Sequence, residues 1–164
     1  MKTLTSFAIA FSFFLTAAAQ PQQQLTQVQK DQIKREIKAV LDSMFARAAR
    51  LDADAAFELY SPDVIVSRDS TLRDFQSYKM LWKDTFRYLA QWKWTSYHEN
   101  FIFISSDVVI CPLVGKVDLV FKSGDRLVVN PQGYTDVFKK VDGRWLAIYE
   151  TAFGTPKRVV ANNK

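Results

Sequence analysis

From Lys30 onward, apolar residues recur at three- and four-residue steps: Ile33, Ile37, Val40, Leu41, Met44, Ala48 and Leu51. That spacing puts them on one face of a long helix. A short second helix is expected over Ala55–Tyr60, with Asp52 as its cap. Ser61-Pro62-Asp63 breaks it, and Val64–Val66 reads as a brief strand. A third amphipathic helix carries Phe75, Tyr78, Trp82, Phe86 and Leu89 on one stripe. Beyond Ala90 the pattern changes to strands: WKWTSYHENFIFIS, DVVICPLVGKVDLVF, RLVVNPQGYTDVFKK and RWLAIYETAF. The turn signals KSGD and Asp142-Gly143 separate the last three. Pro112 and Pro131 cannot donate to a ladder, so bulges or edge positions are expected there. Helices followed by long antiparallel strands indicate an α+β domain, its helices on one face of a bent antiparallel sheet.

The 164 residues suit one domain with one core, and 13 Phe, 6 Tyr and 4 Trp predict an aromatic interior. The first residues stand apart. Lys2, the apolar run FAIAFSFFLT and Ala17-Ala18-Ala19 have the form of a secretory signal peptide, too short to span a bilayer as a helix. The expected organisation is therefore a signal peptide over 1–19, a polar linker over 20–29, the domain over 30–155 and a tail over 156–164. The mature chain is expected to be secreted, to the periplasm in a bacterium, without a membrane anchor. Without Lys2, 21 basic residues face 17 acidic ones. This small excess, spread along the chain of an exported protein, gives no reason to expect a nucleic-acid partner. Cys111 and His98 are the single cysteine and histidine. An internal disulfide is impossible, and neither a metal site nor a cofactor is expected.

Two stretches carry a resemblance: DAAFELYSPDV (Asp54 to Val64) and TDVFKKVDGRW (Thr135 to Trp145). In this order and spacing, after a long first helix, they resemble the nuclear transport factor 2-like superfamily in its SnoaL-like branch. The match covers about residues 30–153. The resemblance implies a cone: a strongly bent sheet wrapped around the long helix, a pocket between them, and pairing of two copies through the outer sheet face. It implies no single activity, because the superfamily holds isomerases, dehydratases, cyclases, epoxide hydrolases and non-enzymatic binding domains. Against the steroid isomerases of this fold, the acid donor falls on Asp136. The tyrosine donor falls on Met44, and the base falls on Arg68 with Asp69 beside it. That mismatch disfavours ordinary steroid isomerisation.

Candidate chemistry therefore rests on carboxylates inside strands, where acids are uncommon. Alternation places Tyr134, Asp136 and Phe138 on one face of their strand. On the next strand Ile148, Glu150 and Ala152 share a face, opposite Trp145, Ala147, Tyr149 and Thr151. Asp136, Asp69 and Glu150 are the candidate catalytic groups, since two acids in a partly apolar hollow separate into a proton donor and a proton acceptor. Met44, Tyr60, Arg68, Trp82, Tyr134, Phe138 and Ile148 are the candidate ligand-binding residues. The leading expectation is an exported, homodimeric domain that binds a small, mostly apolar molecule. The alternatives are a cofactor-independent acid–base enzyme and a dimeric interaction module.

Overall fold

The computed structural model describes residues 24–68 and 70–159, with side chains as far as 155. The expected signal peptide, the first part of the expected linker, the last residues of the expected tail and Asp69 lie outside the described residues. The element order is α1 (Gln27–Ala49), α2 (Ala53–Phe57), β1 (Tyr60–Arg68), β2 (Thr71–Arg73), α3 (Phe75–Tyr88), β3 (Leu89–Glu99), β4 (Ile102–Phe103), β5 (Val108–Phe121), β6 (Arg126–Val141) and β7 (Arg144–Val159). No described helix is long and apolar enough to cross a membrane.

Helix α1 begins three residues before the expected start at Lys30, inside the expected linker. A capping box explains this: the Thr26 hydroxyl accepts from the Gln29 N–H at 3.2 Å, while the Gln29 side chain accepts from the Thr26 N–H at 2.8 Å. Its other end falls short of Leu51, which takes a left-handed φ of 59°. The Leu51 and Asp52 N–H groups close back on the carbonyls of Ala48 and Arg47, as at many helix ends. Helix α2 also ends earlier than expected, so Tyr60 opens β1 instead of closing a helix. Its expected cap is present, with Asp52 accepting from Ala55 N–H at 2.9 Å.

The strands form one curled sheet in the order β2-β1-β7-β6-β5-β3, with β4 pairing beside β3 on β5. All pairs are antiparallel except β1 with β7, which is parallel. The sheet is thus mixed, where a wholly antiparallel one was expected. The chain between β1 and β7 crosses the whole molecule, and such a crossover is what a parallel pair needs. The hairpin at Asp142-Gly143 is tight, with φ of 50° and 78°, positive at both central residues as a type I′ turn requires.

Bulges bend the sheet. Register shifts interrupt β5–β6 between Gly115 and Val117, and β6–β7 between Val129 and Gln132. The second shift contains Pro131, where one was expected. Pro112 stays in register with Thr135, so it makes no bulge. It lies between the β5 residues that pair with β3 and those that pair with β4, at a gap where no ladder bond is needed from it. β7 also pairs with β6 as far as Val159, four residues into the expected tail.

At Gly115 the backbone of β3 lies close over β5. A Cβ there would stand 2.1 Å from the Ser96 carbonyl oxygen and 2.7 Å from the Tyr97 Cα. Both are backbone atoms of β3, so no side-chain movement can relieve the clash. Gly115→Ala is expected to destabilise the fold by at least ~2 kcal/mol, beyond the ordinary overpacking of a core. A urea midpoint unchanged from the wild type would contradict this close approach.

The core lies between the helices and the inner sheet face. Ile33, Ile37, Leu41 and Met44 of α1 pack with Phe57, Tyr78, Val109, Cys111 and Phe138. Glu36 pins α1 to the last hairpin, accepting from Trp145 Nε1 at 2.7 Å and Lys140 Nζ at 2.8 Å. Together with a hydrogen bond from Gln32, these contacts hold its carboxyl down to about 2.

Candidate functional site: a buried carboxyl pair behind an aromatic wall

One row of inward side chains crosses the middle of the sheet. Val66 pairs with Glu150, Glu150 with Asp136, and Asp136 with Cys111, on β1, β7, β6 and β5 in turn. All four are buried, with Asp136 3% and Glu150 2% exposed. Two acids therefore stand side by side, flanked by Val66 and Cys111. Directly opposite residues on neighbouring strands lie within about 5.5 Å of each other, so their charges interact strongly in this low-dielectric setting.

Glu150 is well supplied with donors. The Tyr60 hydroxyl donates to its Oε2 at 2.6 Å, and the Tyr78 hydroxyl donates to its Oε1. Burial raises the Glu150 carboxyl above its usual range, while these hydrogen bonds and the positive charge of Arg68 pull the other way. The Asp136 carboxyl has no such help. Burial first, and the Glu150 charge second, push it well above the usual carboxylate range. Its Oδ1 is buried without a hydrogen-bond partner. The pair thus divides unequally: Glu150 is the acid with support for a negative charge, and Asp136 is the one that keeps its proton.

The same environment acts on the neighbours. Burial and the Glu150 charge drive the Tyr60 and Tyr78 hydroxyls well above their usual range, so both remain donors. Burial and the Asp136 charge push the Cys111 thiol up to about 12. A thiol held that firmly protonated is no nucleophile.

Two spaces adjoin the pair. A deep hollow of about 20 Å³ touches both acids and is lined also by Met44, Tyr60, Trp94 and Tyr134. An outer cavity of about 390 Å³ is lined by Leu81, Phe86, Val117, Leu119, Leu127 and Val129, with Arg68 and Arg73 as its charged residues. Trp82, Trp92 and Tyr134 line both spaces. These rings pack closely, with Trp82 5.9 Å from Trp92 and Trp94 5.9 Å from Tyr134 between centroids. A wall of aromatic rings therefore separates the acids from the larger cavity.

Of the residues expected to line a site, Met44, Tyr60, Tyr134, Asp136 and Glu150 meet at the deep hollow. Trp82 stands between the spaces, and Arg68 lies on the outer one. Two do not join them. Phe138 is fully buried in the main core and lines neither space. Ile148 is half-buried and also lines neither. The cause is a bulge: Tyr149 pairs with Val137 but Ala147 pairs with Phe138, leaving Ile148 as the extra residue. The alternation resets there, so Trp145 and Ala147 face inward along with Glu150, contrary to the expected opposite faces.

Sequence reading missed Tyr78, the second donor to Glu150, because it sits on the apolar stripe of α3. A hydroxyl on such a stripe needs a buried acceptor, and that was the available signal. Trp94 is not among the expected ligand-binding residues, yet it lines the deep hollow and its indole Nε1 is buried without a partner.

No family model matches the chain, and no curated protein matches it by sequence. Solved structures do match. One from Novosphingobium aromaticivorans, named for scytalone dehydratase, superposes with a TM-score of 0.73 at 14% identity, covering 84% of this chain and 94% of that one. A hexachlorocyclohexane dehydrochlorinase from Novosphingobium barchaimii gives 0.70 at 8% identity, covering 83% and 96%. A Xanthomonas campestris protein named for the association domain of a calcium/calmodulin-dependent kinase gives 0.62 at 20% identity, covering 75% and 88%. At such identities these likenesses speak for the fold, and they carry names of both enzymes and an association domain.

Proposed function

We propose that this chain, which has the nuclear transport factor 2-like fold, binds a small, mostly apolar molecule in the outer cavity and presents it to the Asp136 carboxyl. The observation that carries this reading is Asp136 Oδ1, buried and unpartnered on a hollow that shares Trp82, Trp92 and Tyr134 with a cavity of about 390 Å³. Unpaired buried carboxyl oxygens are costly and uncommon, so each calls for a reason, and a bound group that completes the hydrogen bond supplies one here. The cavity volume lies within the range of small-molecule sites, and its walls are chiefly apolar. A thermal-shift screen of small aromatic and alicyclic compounds tests it. A ligand at a hundredfold excess over its Kd adds about 2.7 kcal/mol of stability, which such a screen detects. If no apolar compound raises the melting temperature, the reading fails.

The unequal acid pair favours a second reading, an acid–base enzyme without a cofactor. Asp136 would hold and deliver the proton. Both Glu150 oxygens already accept from tyrosines, so Glu150 would set the charge behind it. Here Asp136→Asn abolishes turnover and leaves the fold intact, whereas a purely binding role leaves no turnover to lose.

Export and pairing of two copies belong to the same proposal. On the outer sheet face, Ile65 and Val114, which alternate with the buried Val64, Val66 and Leu113, are exposed apolar side chains. Light scattering on the mature chain should give twice the monomer mass, and sequencing of the exported protein should begin at Gln20.

A further inference from the structure

Among the described residues, two buried side-chain polar atoms lack a hydrogen-bond partner: Trp94 Nε1 and Asp136 Oδ1. They come from different strands, β3 and β6, which do not pair with each other. Yet both residues line the same deep hollow. Its volume of about 20 Å³ suits a single water-sized group. The remaining lining is the ring and aliphatic surface of Met44, Phe45, Ala56, Trp82 and Trp92, together with Tyr60, Tyr134 and Glu150. Both Glu150 oxygens already accept from the Tyr60 and Tyr78 hydroxyls, and no group of the lining accepts from the indole.

We propose that the deep hollow is a subsite for one oxygen atom of the ligand, held between the Trp94 indole N–H and the Asp136 carboxyl. The occupant is then an otherwise apolar molecule bearing a ketone- or phenol-type oxygen. This inference rests on the pocket reading above and narrows its ligand class.

The donor inventory gives the selectivity. Indole N–H donates and cannot accept, so the group beside it must offer a lone pair. Asp136, with its carboxyl raised by burial and by Glu150, presents a second O–H to the same atom. An oxygen acceptor satisfies both; a hydrocarbon satisfies neither and leaves two polar groups buried and unpaired. An ammonium group would meet a donor head-on. Trp82, Trp92 and Tyr134 line both spaces, so a flat body in the outer cavity lies against the rings that border the hollow, and its oxygen enters the hollow when those rings part.

The test uses two probes of the same shape, 1-indanone and indane, titrated into the mature protein by calorimetry. The indole ¹H–¹⁵N resonances are followed by NMR. The expected result is tighter binding of 1-indanone by about tenfold or more, the worth of one or two buried hydrogen bonds. The Trp94 indole resonance should shift with 1-indanone and not with indane. Trp94→Phe, which keeps a ring and removes the N–H, should lose about tenfold on 1-indanone and leave indane unchanged. Equal affinity for the two probes, or an equal loss of both in Trp94→Phe, overturns the subsite while leaving the pocket reading standing. If neither probe binds and the broader apolar screen is also silent, both fall together. The wild-type indole resonance decides the matter even if the variant folds poorly.

Discussion

Glu150→Leu lowers stability by about 3–5 kcal/mol at neutral pH, and adding Tyr60→Phe with Tyr78→Phe to it recovers most of that loss. The single substitution removes the acceptor of two buried hydroxyls at once. Each unpaired buried donor costs about 1–3 kcal/mol, and the leucine supplies no lone pair to replace what is lost. Relief of carboxyl burial offsets part of the cost, which is why the expected figure stops near the middle of the summed range. In the triple variant no hydroxyl remains to be satisfied, and the rings of residues 60 and 78 still pack against Phe57, whose centroid lies 4.8 and 5.4 Å from theirs. Replacing a buried polar group whole is commonly neutral or stabilising, whereas removing one member is not. Denaturant midpoints of the single, double and triple variants form the measurement. A Glu150→Leu protein as stable as the wild type would mean that the two tyrosines do not depend on this acid.

If the triple variant recovers as expected, Glu150 and its two tyrosine hydroxyls are dispensable to the fold. That separates two kinds of information in the chain. The fold was legible because it follows from local rules repeated over many residues. The α1 stripe, the Asp142-Gly143 turn and the long alternating strands each announce themselves without knowledge of their neighbours. Alternation also put Asp136 on one face with Tyr134 and Phe138, and β6 is regular from Gln132 to Val137; that this face is the inner one comes from the fold and not from the alternation.

The same rule failed at Ile148. A bulge adds one residue whose effect on facing is total and whose sequence mark is slight. Glu150 faces inward, and Trp145 and Ala147 do too, which unbroken alternation cannot give. The parallel β1–β7 pair escaped notice for a related reason. It joins two segments at opposite ends of the domain, and nothing within either segment encodes its partner. Tyr78 and Trp94 were hidden differently. Tyr78 belongs to an apolar helix stripe and Trp94 to an aromatic strand, and the polar atom of each gains meaning only from what stands opposite. Chemistry assembled from several elements is the part of a site that a one-dimensional pattern carries least.

Asp136→Asn should gain stability over the wild type as pH rises, with a limiting slope of about 1.4 kcal/mol per pH unit for one proton. The folded protein raises the Asp136 carboxyl well above its ordinary value of 3.8. The unfolded chain releases that proton near the ordinary value, while the folded chain holds it to a higher pH. Stability from the protonated acid is therefore fully present below about pH 4 and is lost as pH climbs toward the folded value. The asparagine has no proton to hold, so its stability does not fall over that window. The difference between the two proteins should be small near pH 4, widen above it, and level off where the folded Asp136 finally ionises. Glu150 acts with the same sign, but Tyr60, Tyr78 and Arg68 oppose its shift. Acids held low, such as Glu36 at about 2, act oppositely and lose their contribution as pH falls; they are common to both proteins and cancel in the difference. Denaturant midpoints from pH 4 to 9 give the curve directly. Parallel profiles for the two proteins would assign Asp136 an ordinary acidity, and with it would go both the proton that the acid–base reading needs and the second donor of the oxygen subsite.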